Sequence, residues 1–259
     1  GGGRERRADR ARINAMPRFD PEEAFGQYWH RLVGSSRSYP GHPEAAVALD
    51  ALRVRLGLLF RAGGGDGAVR VVGSAATTSR HRLNLKQALG LGTEMLERPT
   101  LDSSALRLPG RIDLFADAAD NERLYEWLVI WFAHTVPPRH DNDPLRDDLY
   151  RLRAAVQTTH AALASWPGLD PVYHRLRRAT LGERPRRNLP DLEGKIEKVI
   201  LYLLSDITPL SDPIFDAIMG DGELDEHFIA PRGYHTFLPV PLWGDIKIDP
   251  AGAAGAGKL

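Results

Sequence analysis

The chemistry-bearing residues of this 259-residue chain gather in a few short stretches. Asp221-Gly222-Glu223-Leu224-Asp225-Glu226-His227 offers the hard oxygen donors that a calcium ion takes, but it lacks the D-x-[DN]-x-[DN]-G register and the glutamate at the twelfth place. His140-Asp141-Asn142-Asp143 could lend ligands to a transition metal, yet Asp143 stands before Pro144 as a helix cap and no second histidine follows at a helical offset. Either loop would serve a metal-dependent enzyme, which is the rival reading. Asp102-Ser103-Ser104 resembles the D-x-S-x-S metal-ion-dependent adhesion motif, but no residue separates the aspartate from the first serine. Gly63-Gly64-Gly65-Asp66-Gly67 has the glycines of a phosphate loop without G-x-G-x-x-G or a following Gly-Lys-Ser/Thr. The terminal Gly252-Ala253-Ala254-Gly255-Ala256-Gly257-Lys258 fits seven places of a P-loop, but Leu259 stands where the magnesium-binding hydroxyl belongs. No nucleophile elbow, zincin helix or kinase signature occurs, so no catalytic residue, metal ligand or cofactor is expected.

The elements that would position these residues centre on DNERLYEWLVIWFAHTV, Asp120 to Val136. At helical spacing Leu124, Trp127, Leu128 and Trp131 form one face and Tyr125, Val129 and Phe132 the next, leaving only a strip around Glu122, Arg123 and Glu126 polar. Such a helix belongs in a core. Asp120 is the expected cap, and Pro137-Pro138 ends the run. Before it, Asp20-Pro21-Glu22-Glu23 opens a helix to Gly34, a second runs from about Pro43 to Arg61, and a third covers about Leu83 to Glu97. Val69, Val71 and Val72 read as a strand, and Leu106 to Leu114 as a two-stranded turn about Pro109-Gly110. After it, Asp143-Pro144, Asp170-Pro171 and Asp212-Pro213 each start a helix, and Leu192 to Leu203 is amphipathic. The fold class expected is mainly α: a multi-helix domain with a small β-ribbon or minor sheet.

Composition narrows the partners. Lys+Arg and Asp+Glu both number 34, so no net field draws the chain to nucleic acid or to an anionic membrane. No apolar run approaches the roughly 20 residues of a membrane span, and the absence of cysteine excludes disulfides and thiolate metal sites. A cytoplasmic location is the expectation. The organisation expected is a flexible basic arm or expression remnant at 1–16, a helical adaptor domain at 17–183, a basic exposed linker at 184–190, a helical segment with a proline-rich tail at 191–250, and a flexible tail at 251–259. Arg184, Arg186 and Arg187 of the linker and Tyr234, Phe237 and Trp243 of the tail are the candidate partner-binding residues.

FDPEEAFGQYWHRLVG (Phe19 to Gly34), RLGLLFRAGGGDGAVRV (Arg55 to Val71), LPGRIDLFADAADNERLYEWL (Leu108 to Leu128) and FLPVPLWGDI (Phe237 to Ile246) resemble the N-terminal half of the CbbO/NorD family. That resemblance implies an adaptor in which a mostly helical region precedes a von Willebrand factor A domain, the whole working with a hexameric MoxR-type AAA+ ATPase. The CbbO branch, a Rubisco activase subunit, is the favoured expectation, and the NorD branch, which helps mature nitric oxide reductase, is the alternative. The A domain with its metal site is absent from these 259 residues, so Rubisco as client would be reached through that missing domain, and no family metal ligand transfers to a residue here. The chain is expected to be a noncatalytic adaptor module that docks on the ATPase.

Overall fold

The computed structural model describes residues 39–74, 98–205 and 207–246. The helices expected at 21–34 and 83–97, the basic arm and the glycine-rich terminus lie outside them. The described chain runs through β1 (Val47–Ala48), α1 (Leu49–Ala62), β2 (Arg70–Gly73), β3 (Thr100–Leu101), β4 (Ala105–Leu108), β5 (Arg111–Ile112), α2 (Ala118–Ala133), α3 (Pro144–Ser165), α4 (Asp170–Glu183), α5 (Asp191–Ser205), α6 (Pro213–Met219) and β6 (Asp245–Ile246). The mainly α class with a minor sheet is borne out.

The central helix α2 packs against α1, α3 and α4. From Leu124 to Phe132 every residue except Glu126 is at most 2 % exposed, and the polar strip at Glu122, Arg123 and Glu126 is where the helical period puts it. Its polar tips each tie a different element. Tyr125 Oη donates to the Pro109 carbonyl (2.6 Å), Trp127 Nε1 to the Leu242 carbonyl (2.9 Å) and Trp131 Nε1 to Thr159 Oγ1 (3.1 Å). Burying an aromatic of roughly 150–250 Å² contributes about 4–6 kcal/mol as an upper figure, provided that such donors are satisfied.

Three local expectations are corrected. The cap of α2 is Asp117, whose carboxylate accepts Ala119 N, while Asp120 is buried on the first turn and paired with Arg175. The helix stops at Ala133 because the His134 and Thr135 amides fold back to the Trp131 and Phe132 carbonyls and Val136 N turns to Thr158 Oγ1. The segment expected as one helix from Pro43 begins with a 3-10 turn and β1, and α1 starts only at Leu49, because Val47 and Ala48 pair antiparallel with Ile112 and Arg111.

Nor do β4 and β5 form a hairpin. β4 lies inside a four-stranded mixed sheet of order β2-β4-β3-β6, parallel to β2 and antiparallel to β3, whereas β5 pairs with β1. Pro109-Gly110 therefore hands the chain from one sheet to the other, and it is held there by Tyr125 Oη on the Pro109 carbonyl and Leu49 N on the Gly110 carbonyl. The sheet closes on β6, parallel to β3, so the end of the described chain is a structural strand.

Among helix starts, Asp143 caps α3 by accepting Leu145 N and Arg146 N, and Asp212 caps α6 by accepting Ile214 N and Phe215 N. Asp170 does not cap α4, because a 3-10 turn over Pro167–Leu169 leads straight into it; its carboxylate instead meets His174 Nε2 at 3.2 Å.

Candidate functional site: the clamp on the C-terminal segment

The carboxylates that matter here stand where apolar residues would be expected. On α3, Asp148 shares a face with Leu145, Leu149 and Leu152; on α5, Glu193 and Glu197 share one with Ile196 and Ile200. All three acids are buried. A buried charge needs a partner: residues 234–236 supply donors to Asp148 and Glu193, Arg151 adds a charge beside Asp148, and Arg184 pairs with Glu197.

Asp148 Oδ2 accepts Tyr234 Oη at 2.7 Å, while Oδ1 accepts Thr236 Oγ1 at 2.7 Å and Arg151 Nη1 at 3.1 Å. Arg151 continues to Asp245 Oδ1 (2.7 Å) and lies 5.4 Å over the Phe237 ring, and Asp245 Oδ2 takes Arg98 Nη1 at 3.0 Å. Glu193 Oε1 accepts the His235 amide at 3.3 Å. On the far side, Arg184 forms a two-point pair with Glu197 (2.6 and 2.9 Å) and donates to Tyr39 Oη (2.6 Å) and to the Leu238 carbonyl (3.0 Å). Tyr39 Oη itself donates to the Pro239 carbonyl at 3.2 Å.

Electrostatics follows from this packing. Burial opposes charge on Asp245, but the guanidinium of Arg151 and then that of Arg98 outweigh it and hold the carboxyl below its ordinary range. Burial likewise opposes charge on Arg184, and the Tyr39 oxygen and Glu197 carboxylate more than restore it. Burial, with the hydrogen bond to Asp148, pushes the Tyr234 phenol well up.

Of the six candidate partner-binding residues, the structure brings Arg184, Arg187, Tyr234, Phe237 and Trp243 to this one seam. The expectation that they form an exposed linker and a surface tail is corrected at its ends: the Arg184 side chain is 1 % exposed, and Trp243 is buried beside Leu242. The physical reason is that Glu197, Tyr39 and the Leu238 carbonyl replace the water acceptors that the Arg184 guanidinium gives up, with a counter-charge beside it. Arg187 lies at the edge, 3.8 Å from Glu197, and Arg186 is half-buried. Sequence reasoning missed Tyr39, Arg98, Asp148, Arg151, Glu193, Glu197 and Asp245. Acids inside the apolar stripes of α3 and α5 were the signal that could have found three of them.

The two loops of the enzyme reading have other uses. His140 meets Asp147 and Asp141 pairs with Arg146; Asp143 caps α3 and also accepts Ala230 N at 3.0 Å; Asp225 meets His227, whose side chain is 94 % exposed. Among the described residues no three His, Asp or Glu side chains form a metal-ligating group. Asp102 is a turn residue, its carboxylate held low chiefly by the Ser104 amide. In the glycine-rich turn, Gly64 takes a φ of +95° and Gly65 lies so close to the Phe60 ring that a Cβ would sit 2.4 Å from it, so these glycines serve the turn and its packing. Beside the clamp a cleft of about 250 Å³ opens between α3, α4 and α5, walled by Tyr173, His174, Arg177 and Trp243. No described helix is long and apolar enough to cross a membrane.

No family model and no solved structure matches the chain. Among curated proteins it is 43% identical over 225 residues to Protein NorD of Brucella abortus, which takes in 86% of this chain and 34% of that protein. It is 33% identical over 187 residues to Protein NorD of Stutzerimonas stutzeri, covering 71% of this chain and 28% of the relative. A protein of Pseudomonas aeruginosa is 29% identical over 252 residues, 92% of this chain and 36% of that one. The chain spans about a third of the length of the curated relatives it matches. These names favour the NorD alternative and lend no support to the CbbO branch expected from the sequence. Over that third of their length, the chain is a homologue of the NorD proteins.

Proposed function

We propose that the chain is a noncatalytic adaptor module of NorD type, which docks on a MoxR-type AAA+ ATPase and passes the motion of that ring to a client, nitric oxide reductase. The Rubisco client of the CbbO branch takes second place because the named relatives are NorD proteins. The observation that carries the reading is the clamp. Its buried acids and the guanidiniums of Arg151 and Arg184 bind the chain's own residues 234–245 to α3 and α5, which makes one stiff body from an end that lies about 200 residues away from Tyr39. A body through which force is to pass must resist local opening, and the buried two-point Arg184–Glu197 pair with the hydrogen bonds on Asp148 supplies that resistance.

Mixing the purified chain with its cognate MoxR-type ring on a sizing column, with ATP, with ADP and without nucleotide, tests the reading. Comigration in at least one nucleotide state is the expected result, and separate elution in all three would overturn it.

A further inference from the structure

Four side chains of α3 and its cap, Asp143, Arg146, Tyr150 and Arg153, recur at spacings of three, four and three and therefore form one stripe. Each bonds the backbone of the segment that follows α5. Asp143 accepts Ala230 N, Arg146 donates to the Phe228 carbonyl (3.4 Å), Tyr150 Oη accepts Leu224 N (3.1 Å), and Arg153 donates to the Gly222 and Ala217 carbonyls. The segment thus runs antiparallel along α3, held by its main chain, with many of its side chains turned outward.

What it turns outward is unusual for this molecule. Of the five large apolar side chains exposed among the described residues, three lie here: Leu210 at 93 %, Ile229 at 64 % and Met219 at 45 %. Between 207 and 230 the sequence holds Asp212, Asp216, Asp221, Glu223, Asp225 and Glu226 and no lysine or arginine. Asp212 caps α6, Glu223 meets Arg139 and Asp225 meets His227, while the exposed Asp216 and Asp221 form no ion pair with a described residue. The seven residues of α6 rise roughly 10 Å, so Leu210 and Met219 fall within the width of one protein interface. Apolar groups among polar neighbours on a fixed backbone have the composition of an interface, and the carboxylates set the sign of what fits.

We propose that residues 207–230 are a docking strip for the basic, partly apolar surface of a partner protein, namely the ring ATPase of the adaptor reading, on which this proposal rests. Charge complementarity would speed and orient the encounter, and Leu210, Met219 and Ile229 would hold the complex.

The test measures binding of the full chain to the purified MoxR-type ring by biolayer interferometry across 50 to 300 mM NaCl. Three variants are compared with the parent: Leu210→Ser/Met219→Ser/Ile229→Ser, Asp216→Lys/Asp221→Lys, and the control Val54→Ser/Leu58→Ser on the exposed face of α1. All positions are exposed, and an unchanged melting temperature checks that each variant folds. Loss of at least about tenfold in affinity for both strip variants, a parent affinity that falls with salt, and a control within about twofold are expected. Strip variants that bind like the parent, or a control that loses as much as they do, overturn the strip and leave the adaptor reading standing. A parent that binds the ring in no nucleotide state overturns both.

Discussion

Asn121 lies fully buried at the start of α2 and uses its whole amide: Oδ1 accepts Phe115 N (2.9 Å), and Nδ2 donates to the Ala45 (2.9 Å) and Phe115 (2.8 Å) carbonyls. Asn121→Ala leaves three buried backbone groups without that partner, and urea unfolding should find the protein less stable by about 3 kcal/mol. Arg184 and Glu197 call for a paired experiment. Removing one partner, Arg184→Met, strands the other as a buried charge and should cost about 3–5 kcal/mol, whereas Arg184→Met/Glu197→Leu should recover much of that loss. Equal losses in the single and double variants would show that the Arg184 bonds to Tyr39 and to the Leu238 carbonyl, rather than the pair, hold the seam. At this scale the sequence is legible where a residue acts on its own neighbours, as Asp143 and Asp212 do in capping. It misleads at Asp117 and Asp120, both sited to cap α2: Asp117 takes the Ala119 amide, and Arg175 from another helix pairs with both carboxylates.

At the scale of elements, the tail enters the core through a close approach that only glycine permits. A Cβ on Gly244 would lie 1.9 Å from Phe132 Cζ. Gly244→Ala should therefore lift residues 240–246 off α2, costing about 1–3 kcal/mol, and Gly244→Ala/Phe132→Leu should restore part of it. Hydrogen exchange of the Asp245 amide, which donates to the Pro99 carbonyl, reads the lift directly: faster in the single variant and slowed again in the double. Helix content and the buried face of α2 could be read from periodicity. Strand partners could not, since Leu106-Arg107-Leu108 alternates in the same way whether it meets Arg111-Ile112 or Val71-Val72; contacts distant in sequence, Tyr125 Oη on the Pro109 carbonyl and Leu49 N on the Gly110 carbonyl, turn the chain between sheets.

For the molecule as a whole, the clamp makes stability depend on acid. Asp245 has a carboxyl pKa held down in the folded state, so its contribution is complete above the unfolded value of about 3.9 and is lost as pH falls through the lower folded value. Asp245→Asn should accordingly melt below the parent at pH 7, and the gap should narrow as the pH drops below about 4; a gap that stays constant would mean that the charge on Asp245 does not support the clamp. The same acids explain why the candidate site was only half visible beforehand. Its arginines and aromatics stand out in the sequence, but Asp148 and Glu197 sit inside apolar stripes, and Asp245 reaches Arg151 and Arg98 across 94 and 147 residues.

In the proposed adaptor role this body works by being gripped, and hydrogen exchange of the chain alone and bound to its MoxR-type ring reads that grip. Slowed exchange on an exposed face with residues 234–245 unchanged is the expected result. No protected surface in any nucleotide state, or a clamp that opens without a ring attached, would contradict it.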